Sequence, residues 1–117
     1  MQIEVKGRNV PVNDELRELV ERKFRKVAAQ VSDLARMEVE LREERNPAIP
    51  EPQVASVTLY VKGATLHAEE HSREQGHALK LCSLELARQV KRHRDKQRHR
   101  REARAGAASA GGLMAGR

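Results

Sequence analysis

Aromatic residues are almost absent from this chain. Phe24 and Tyr60 are the only two among 117 residues, and there is no tryptophan. A hydrophobic core must therefore be built mainly from Val, Leu, Ile and Met. Proteins that read single-stranded RNA usually stack its bases on aromatic side chains, and only Tyr60 is available for that purpose. The composition thus disfavours base stacking as a way of binding nucleic acid.

Cysteine is equally scarce. The single Cys82 excludes a disulfide framework and favours a reducing, intracellular setting. Because it falls on an apolar stripe, we interpret it as a core residue; the alternative, a catalytic thiol, requires polar and partly exposed surroundings. No apolar run is long enough to span a bilayer or to form a signal peptide, so we expect a cytoplasmic protein without membrane association.

Signatures of catalysis and of metal binding are missing as well. There is no Gly-rich phosphate loop and no Ser or Cys motif with a flanking His. Two pairs of adjacent glutamates, at 43–44 and 69–70, point to opposite faces if they lie in strands. A zinc site at His67, His71 and His77 is conceivable, but their spacing matches no common ligand pattern. We expect no enzymatic activity, no cofactor, no metal and no small-molecule substrate.

Charge, by contrast, is abundant and unevenly distributed. The net charge is +6. Residues 1–72 carry 11 Lys/Arg and 13 Asp/Glu, a net −2, whereas residues 73–117 carry 12 and 4, a net +8. An acidic body with a basic C-terminal third predicts a polyanionic partner, most often nucleic acid. The alternative is a basic surface that is merely solvated.

The basic charge is concentrated on one predicted helix. Residues 86–101 contain no Gly or Pro and consist largely of good helix formers. Between 88 and 104 there are nine Lys/Arg against Asp95 and Glu102. The apolar face of this helix has a spacing of three and four residues and ends early; it comprises Leu79, Cys82, Leu86 and Val90.

With Val90 as the last core contact, residues 91–102 extend about 18 Å beyond the core at 1.5 Å per residue. Like charges at i,i+4, such as Arg94 and Arg98, disfavour a free helix. We therefore expect the free protein to fray beyond about Arg94 until an anion neutralises it. The Ala/Gly-rich residues 103–117 are expected to be disordered.

The remaining sequence predicts four strands and one further helix. Apolar and polar residues alternate near residues 2–6, 36–42, 56–62 and 65–69. A helix is expected from the N-cap Asn13 to about Ser32. The basic helix should begin near Ser72 or Arg73, where Ser72 and Gln75 have capping-box spacing.

This order defines the predicted fold class: α+β, a two-layer β-α-β-β-β-α sandwich with both helices on one face of a four-stranded sheet. The first two strands are joined through a helix, so we expect them to be parallel, and the other neighbours antiparallel. Residues 1–102 form the predicted domain. A groove should separate the helices, with Lys23 and Lys26 on one wall; the other wall would comprise Arg88, Lys91 and Arg92.

Several segments, in order, resemble the ribosome hibernation-promoting factors, also called ribosome-associated inhibitors. The resemblance covers about residues 1–102. It rests on Met-Gln-Ile-x-Val-x-Gly-Arg-Asn-Val at the start and on residues 16–26, 57–68 and 86–96. It implies the same fold, similar to double-stranded-RNA-binding domains. It also implies binding to small-subunit rRNA at the mRNA and tRNA sites, and inhibition of translation under stress or in stationary phase.

The candidate RNA-binding residues come from this resemblance and from neighbouring charge. The resemblance implies rRNA contacts by Lys23, Lys26, Arg88, Arg92, Arg94 and Lys96. Arg22, Lys91 and Arg98 extend the same charge. The expected partner is the small ribosomal subunit with its rRNA, bound by a protein that is monomeric when free. Two rival hypotheses are a generic double-stranded-RNA-binding module without ribosome specificity and an enzyme acting on RNA.

Overall fold

The computed structural model describes the backbone of residues 1–115 and the side chains of residues 1–105. Strand β1 is followed by helices α1 and α2, by strands β2, β3 and β4, and by the long helix α3. The bounds are β1 Gln2–Arg8, α1 Asp14–Lys23, α2 Arg25–Gln30, β2 Arg36–Glu43, β3 Gln53–Val61, β4 Ala64–Ser72 and α3 Gln75–Ala115. None of the described helices is both long and apolar enough to cross a membrane.

The four strands form one sheet in the order β1-β2-β3-β4. β1 and β2 are parallel, and the other two pairs are antiparallel. β3 and β4 are joined by a tight turn at Lys62 and Gly63, in which Gly63 has φ 82°, a value that side chains with a Cβ rarely adopt. The predicted α+β fold class is thereby confirmed, including the parallel pair.

One hydrophobic core lies between the sheet and the helices. The core face of the sheet carries alternating residues such as Met37, Val39 and Leu41, all buried. The predicted apolar face of α3 is buried from Leu79 to Val90. Because both helical layers contribute to the same cluster, they lie on one face of the sheet, as predicted.

The predicted first helix is divided in two at Phe24. This residue has φ −104° and ψ 13°, outside the helical region, and its ring is fully buried. Its N–H still donates to the Val20 carbonyl at 3.0 Å, and its carbonyl accepts from Ala28 N at 2.9 Å. Since these hydrogen bonds continue across the break, the apolar spacing is preserved and the sequence pattern does not reveal it. The second helix ends at Gln30, two residues earlier than expected.

The predicted capping box at the start of α3 is wrong. Ser72 is the last residue of β4 and pairs with Gln53. Its Oγ accepts from Glu74 N at 3.3 Å and hydrogen-bonds His77 Nδ1 at 2.7 Å. Strand pairing therefore holds Ser72 outside the helix, which begins at Gln75.

Helix α3 continues through most of the segment for which the sequence predicts disorder. Its backbone is helical to Ala115, and residues 116 and 117 lie outside the described residues. Ala is the strongest helix former, and extending an existing helix avoids the cost of nucleation. The side chains of residues 98–105 are all exposed. Helical geometry here therefore comes from propensity rather than from packing.

Candidate nucleic-acid interface

The contacts of α3 with the body of the protein extend beyond the end of its apolar face. His93 Nε2 donates to the Lys62 carbonyl at 3.2 Å, and Gln97 Nε2 reaches the same oxygen at 3.5 Å. Both side chains are half-buried against the β3–β4 turn. Val90 is thus the last apolar contact but not the last contact, and the unsupported part of α3 begins after Gln97. Sequence periodicity reveals apolar faces only, so it does not predict these polar contacts.

Arg88 and Arg92 share one carboxylate. Arg88 Nη1 lies 3.1 Å from Glu85 Oε2, and Arg92 Nη2 lies 3.5 Å from Glu85 Oε1. The arginine side chains are 70% and 71% exposed, so their remaining N–H groups face solvent. Gln89, on the same side of the helix, hydrogen-bonds to the edge of β4 at His67. This pair of arginines therefore lies on the β4 side of α3.

The predicted arrangement of the groove is consequently wrong for Arg88 and Arg92, which share Glu85 on the β4 side. Arg92 borders a cavity together with Gly63 and Ala64 of the β3–β4 turn, on the side of α3 away from α1 and α2. Lys96 borders the same cavity. The groove side of α3 is instead represented by Arg94, which lines an apolar cavity of about 530 Å³ with Val31 at the end of α2. Arg92 and Arg94 are two residues apart, so they point to different sides of the helix, but this spacing does not tell which neighbouring element each one faces.

The basic residues of α1 and α2 have different surroundings. Lys23 lies against the first turn of α3, where a Cβ at Gly76 would be 3.8 Å from its Cε. Lys26 is exposed on α2. Arg22 is near Arg73, on a cavity that also includes acidic Glu15. It belongs to the end of the molecule where α3 begins.

The other predicted residues follow the exposed side of α3. Lys91 and Lys96 are exposed, and Arg98 is near Arg94 and Arg101 around a small cavity. Gly76 and Arg98 are separated by about 33 Å along the helix at 1.5 Å per residue. The nine candidate residues therefore do not form one pocket: Arg22, Lys23 and Lys26 lie on α1 and α2, and the other six follow the length of α3 on more than one of its sides. We call the exposed Lys and Arg side chains of α3 between residues 88 and 104 the α3 strip. An extended polyanion fits such a surface better than a small anion.

The opposite face of the sheet has a different character. Tyr60 lies on it, where the Arg36 guanidinium covers its ring at 4.5 Å from the centroid. Its hydroxyl donates to Glu38 Oε2 at 3.2 Å. Arg42 forms a 2.7 Å salt bridge with Glu69 on the same face. The only candidate for base stacking is therefore already engaged within the protein.

Cys82 is buried in the core, and His67 and His77 are hydrogen-bonded within the protein. Cys82 is fully buried, and its Sγ donates to the Ala55 carbonyl at 3.3 Å. Burial away from water, with a smaller contribution from nearby Glu70, raises the pKa of the Cys82 thiol to about 12. His67 hydrogen-bonds Thr58, and His77 hydrogen-bonds Ser72. Cys82 thus remains protonated at neutral pH, which favours the core interpretation over a reactive thiol.

Two polar residues of this surface were missed by the sequence analysis. Glu85 is the only acidic residue of α3 before Asp95, and it precedes Arg88 and Arg92 by three and seven residues. This spacing is a signal for an intrahelical ion pair. Gln89 carries no such signal, because its partner is the backbone of a strand that lies 22 residues earlier.

The fold and this surface define a small two-layer α+β protein whose longest helix carries many exposed basic residues where it leaves the domain. Residues 3–98 match the family described as Sigma 54 modulation protein / S30EA ribosomal protein, and the chain belongs to that family. The family resemblance inferred from the sequence is confirmed.

Several proteins similar in sequence to this chain have names that refer to ribosome hibernation. The chain is 31% identical over 96 residues to the ribosome hibernation promoting factor of Salmonella typhimurium, covering 82% of this chain and 96% of that protein. It is 30% identical to the factor of the same name from Escherichia coli K12, with the same coverage. It is 28% identical to the ribosome hibernation promotion factor of Picosynechococcus and covers 50% of that longer protein.

Solved structures share the fold. The N-terminal domain of Thermus thermophilus Protein Y matches with a TM-score of 0.70 at 23% identity, covering 80% of this chain and 99% of that one. A ribosomal subunit interface protein from Coxiella burnetii matches with a TM-score of 0.67 at 18% identity, covering 81% and 99%.

Proposed function

We propose that this protein is a ribosome hibernation factor. In this proposal, residues 1–102 bind the rRNA of the small ribosomal subunit where mRNA and tRNA would otherwise lie, and thereby inhibit translation in stressed or stationary cells. The proposal is supported by family membership and by relatives named ribosome hibernation promoting factor. It implies a cytoplasmic protein that acts by occupying a site and not by catalysis.

The α3 strip is the observation that carries the proposal. Its charge density is highest where α3 leaves the domain: nine Lys/Arg against two acidic residues between 88 and 104. Most of these side chains are exposed, so their charges are available to a partner. A helix with no apolar face beyond Val90 gains little from the protein core at that end. An rRNA backbone supplies the counter-charge that this segment lacks.

The expected mode of binding is contact with phosphates and with RNA shape. Tyr60 is covered by Arg36, and Phe24 is buried, so neither aromatic ring is free to stack on a base. Arginine and lysine side chains can instead donate to phosphate oxygens without reading sequence. Specificity then comes from the arrangement of phosphates in folded rRNA, to which a rigid helix is matched along its length.

Competition between two RNA targets tests the proposal. The protein is sedimented with purified small ribosomal subunits in the presence of increasing amounts of bulk duplex RNA at one salt concentration. We expect it to remain with the subunits when duplex phosphate is in large excess. Equal partitioning per phosphate would support a generic double-stranded-RNA-binding module instead. Turnover of either RNA during the incubation would contradict a non-enzymatic role.

A functional readout completes this test. Addition of the protein to a purified translation system should reduce peptide synthesis in proportion to the fraction of small subunits occupied. Preloading the subunits with mRNA and initiator tRNA should delay the inhibition, because the proposed sites are then filled. Inhibition that is unaffected by preloading would place the binding site elsewhere on the ribosome.

A further inference from the structure

Glu85 is an acidic residue in the middle of a basic surface. Oε2 contacts Arg88 Nη1 at 3.1 Å; Oε1 lies 3.5 Å from Arg92 Nη2 and accepts from Gln89 Nε2 at 3.2 Å. Both carboxylate oxygens are therefore occupied, although the side chain is 29% exposed. A glutamate that only improves solubility is usually free in solvent, whereas Glu85 has three side-chain partners.

We propose that Glu85 determines the specificity of the α3 strip by holding Arg88 and Arg92 ready for one phosphate arrangement and weakening their attraction to others. This inference rests on the proposed function, in which α3 contacts rRNA.

The negative charge of Glu85 weakens the attraction of Arg88 and Arg92 to phosphates. Glu85, Arg88 and Arg92 together carry one net positive charge, where the two arginines alone would carry two. Non-specific binding to RNA depends mainly on how many cations approach phosphates, and a carboxylate between two of them repels an arriving phosphate. A duplex that approaches in an arbitrary orientation must compete with Glu85 for these guanidinium groups. Glu85 therefore chiefly lowers the affinity for non-specific RNA.

Glu85 also restricts the conformations of the Arg88 and Arg92 side chains. Arg88 and Arg92 are long side chains, and free rotation about their bonds would have to be lost on binding. A shared carboxylate removes part of that freedom beforehand, which favours a target with matching phosphates. Glu85 is itself held by Gln89, whose amide hydrogen-bonds the N–H and C=O of His67 on β4. The positions of the two guanidinium groups are thus fixed relative to the sheet as well as to the helix.

The test compares the affinity for two RNA targets. Dissociation constants of the wild type and of Glu85→Gln are measured for small ribosomal subunits and for a short duplex RNA at the same salt. Freeing two cations should strengthen duplex binding roughly fivefold, while subunit binding changes by less than about twofold. The preference for subunits should therefore fall severalfold. Gln keeps the helix propensity at this position, so the fold should be unchanged.

Asp95→Asn is the matched control. It removes the same charge from the same helix, and Asp95 makes no ion pair with any of the described side chains. It should change the affinity for both RNAs by a similar factor. In the background Arg88→Gln/Arg92→Gln, Glu85→Gln should have no more effect on duplex affinity than Asp95→Asn, and for this comparison the variants with and without the two arginines are all measured at the same lower salt.

The outcomes separate the inference from the proposed function. If the wild type prefers subunits and Glu85→Gln leaves that preference intact, the inference about Glu85 is wrong. An equal effect of Glu85→Gln with and without the two arginines would also overturn it, because Glu85 would then act by charge alone. A wild type that binds duplex and subunits equally would overturn the proposed function, and with it any specificity for Glu85 to set.

Discussion

The side-chain amide of Gln89 hydrogen-bonds both backbone groups of His67. Its Nε2 donates to the His67 carbonyl at 2.8 Å, and its Oε1 accepts from the His67 N–H at 3.3 Å. β4 is an edge strand of the sheet, so these groups have no neighbouring strand to pair with. A helix side chain thus takes the place of the missing strand and fastens α3 to the sheet edge at the level where the apolar face ends.

Removing this contact should loosen α3. We expect Gln89→Ala to lower the free energy of unfolding by about 1 kcal/mol, because water can partly replace hydrogen bonds at an exposed edge. Chemical denaturation monitored by circular dichroism measures the change. Lys80→Ala, an exposed position on the same helix, is the control and should change stability by less than about 0.5 kcal/mol. Equal stabilities for the two variants would show that the amide contact contributes nothing.

Burial of Cys82 should make stability depend on pH in the alkaline range. The pKa of this thiol rises from 9.0 to about 12 on folding, so above pH 9 the unfolded chain loses a proton that the folded protein keeps. Stability should therefore fall as pH rises from about 9 towards 12, by up to about 1.4 kcal/mol per pH unit from this group. The measurement is the difference in unfolding free energy between wild type and Cys82→Ala at several pH values. A difference that is independent of pH between 8 and 10.5 would contradict the assigned burial effect.

Binding to small subunits should weaken steeply with salt. If about six phosphates are engaged, the logarithm of the binding constant should fall against the logarithm of salt concentration with a slope of about −4 to −5. Equilibrium titration at several potassium concentrations provides this slope. A slope near zero would remove phosphate contact as the main source of affinity.

The fold was largely predictable because the spacing of apolar residues in each strand and helix indicates which face is buried. Alternation identified Met37, Val39 and Leu41, and helical spacing identified Leu79 and Leu86; all are buried. The parallel β1–β2 pair followed from the connection of these two strands through a helix, since parallel neighbours need a crossover of this kind. These are local patterns combined with a general rule of connection, and they need no knowledge of distant contacts.

The site was less predictable because its details depend on contacts between distant segments. The β3–β4 turn supplies the Lys62 carbonyl to His93 and Gln97, 31 and 35 residues later in the chain. The same turn places Arg92 beside Gly63 rather than in the groove. Periodicity orders side chains around a helix, but it does not say which strand or helix lies opposite each of them.

The end of α3 should be the least stable part of the domain in the free protein. His93 and Gln97 hold the helix to the β3–β4 turn, and every side chain from 98 to 105 is exposed. Like charges such as Arg94 and Arg98 repel at i,i+4 spacing. We therefore predict rapid amide hydrogen exchange beyond Gln97 in the free protein, although the backbone there can adopt a helix, and slower exchange over residues 98–102 on small subunits.

Hydrogen exchange analysed by mass spectrometry checks this, with residues 79–90 as the protected internal reference. Strong protection of residues 98–101 without ribosomes would contradict fraying. Protection of the Ala/Gly-rich residues beyond 103 on the ribosome would reveal a contact that the α3 strip does not explain.

The basic residues of α3 should provide most of the affinity for the small subunit. One variant that replaces Arg88, Arg92, Arg94 and Lys96 with Gln tests this directly. The control variant has the same change in charge and replaces Lys6, Arg8, Arg17 and Arg45, which are exposed elsewhere on the domain. Both should fold, since the lost surface ion pairs are each worth less than about 1 kcal/mol.

Affinity for purified small subunits is then measured for the two variants at one salt concentration, after circular dichroism has shown that each is folded. Loss of four charge-assisted contacts should weaken the α3 variant by about a hundredfold or more, whereas the control should lose less than about tenfold. Equal losses would mean that net charge alone governs binding. Undiminished binding of the folded α3 variant would contradict the role assigned to this helix.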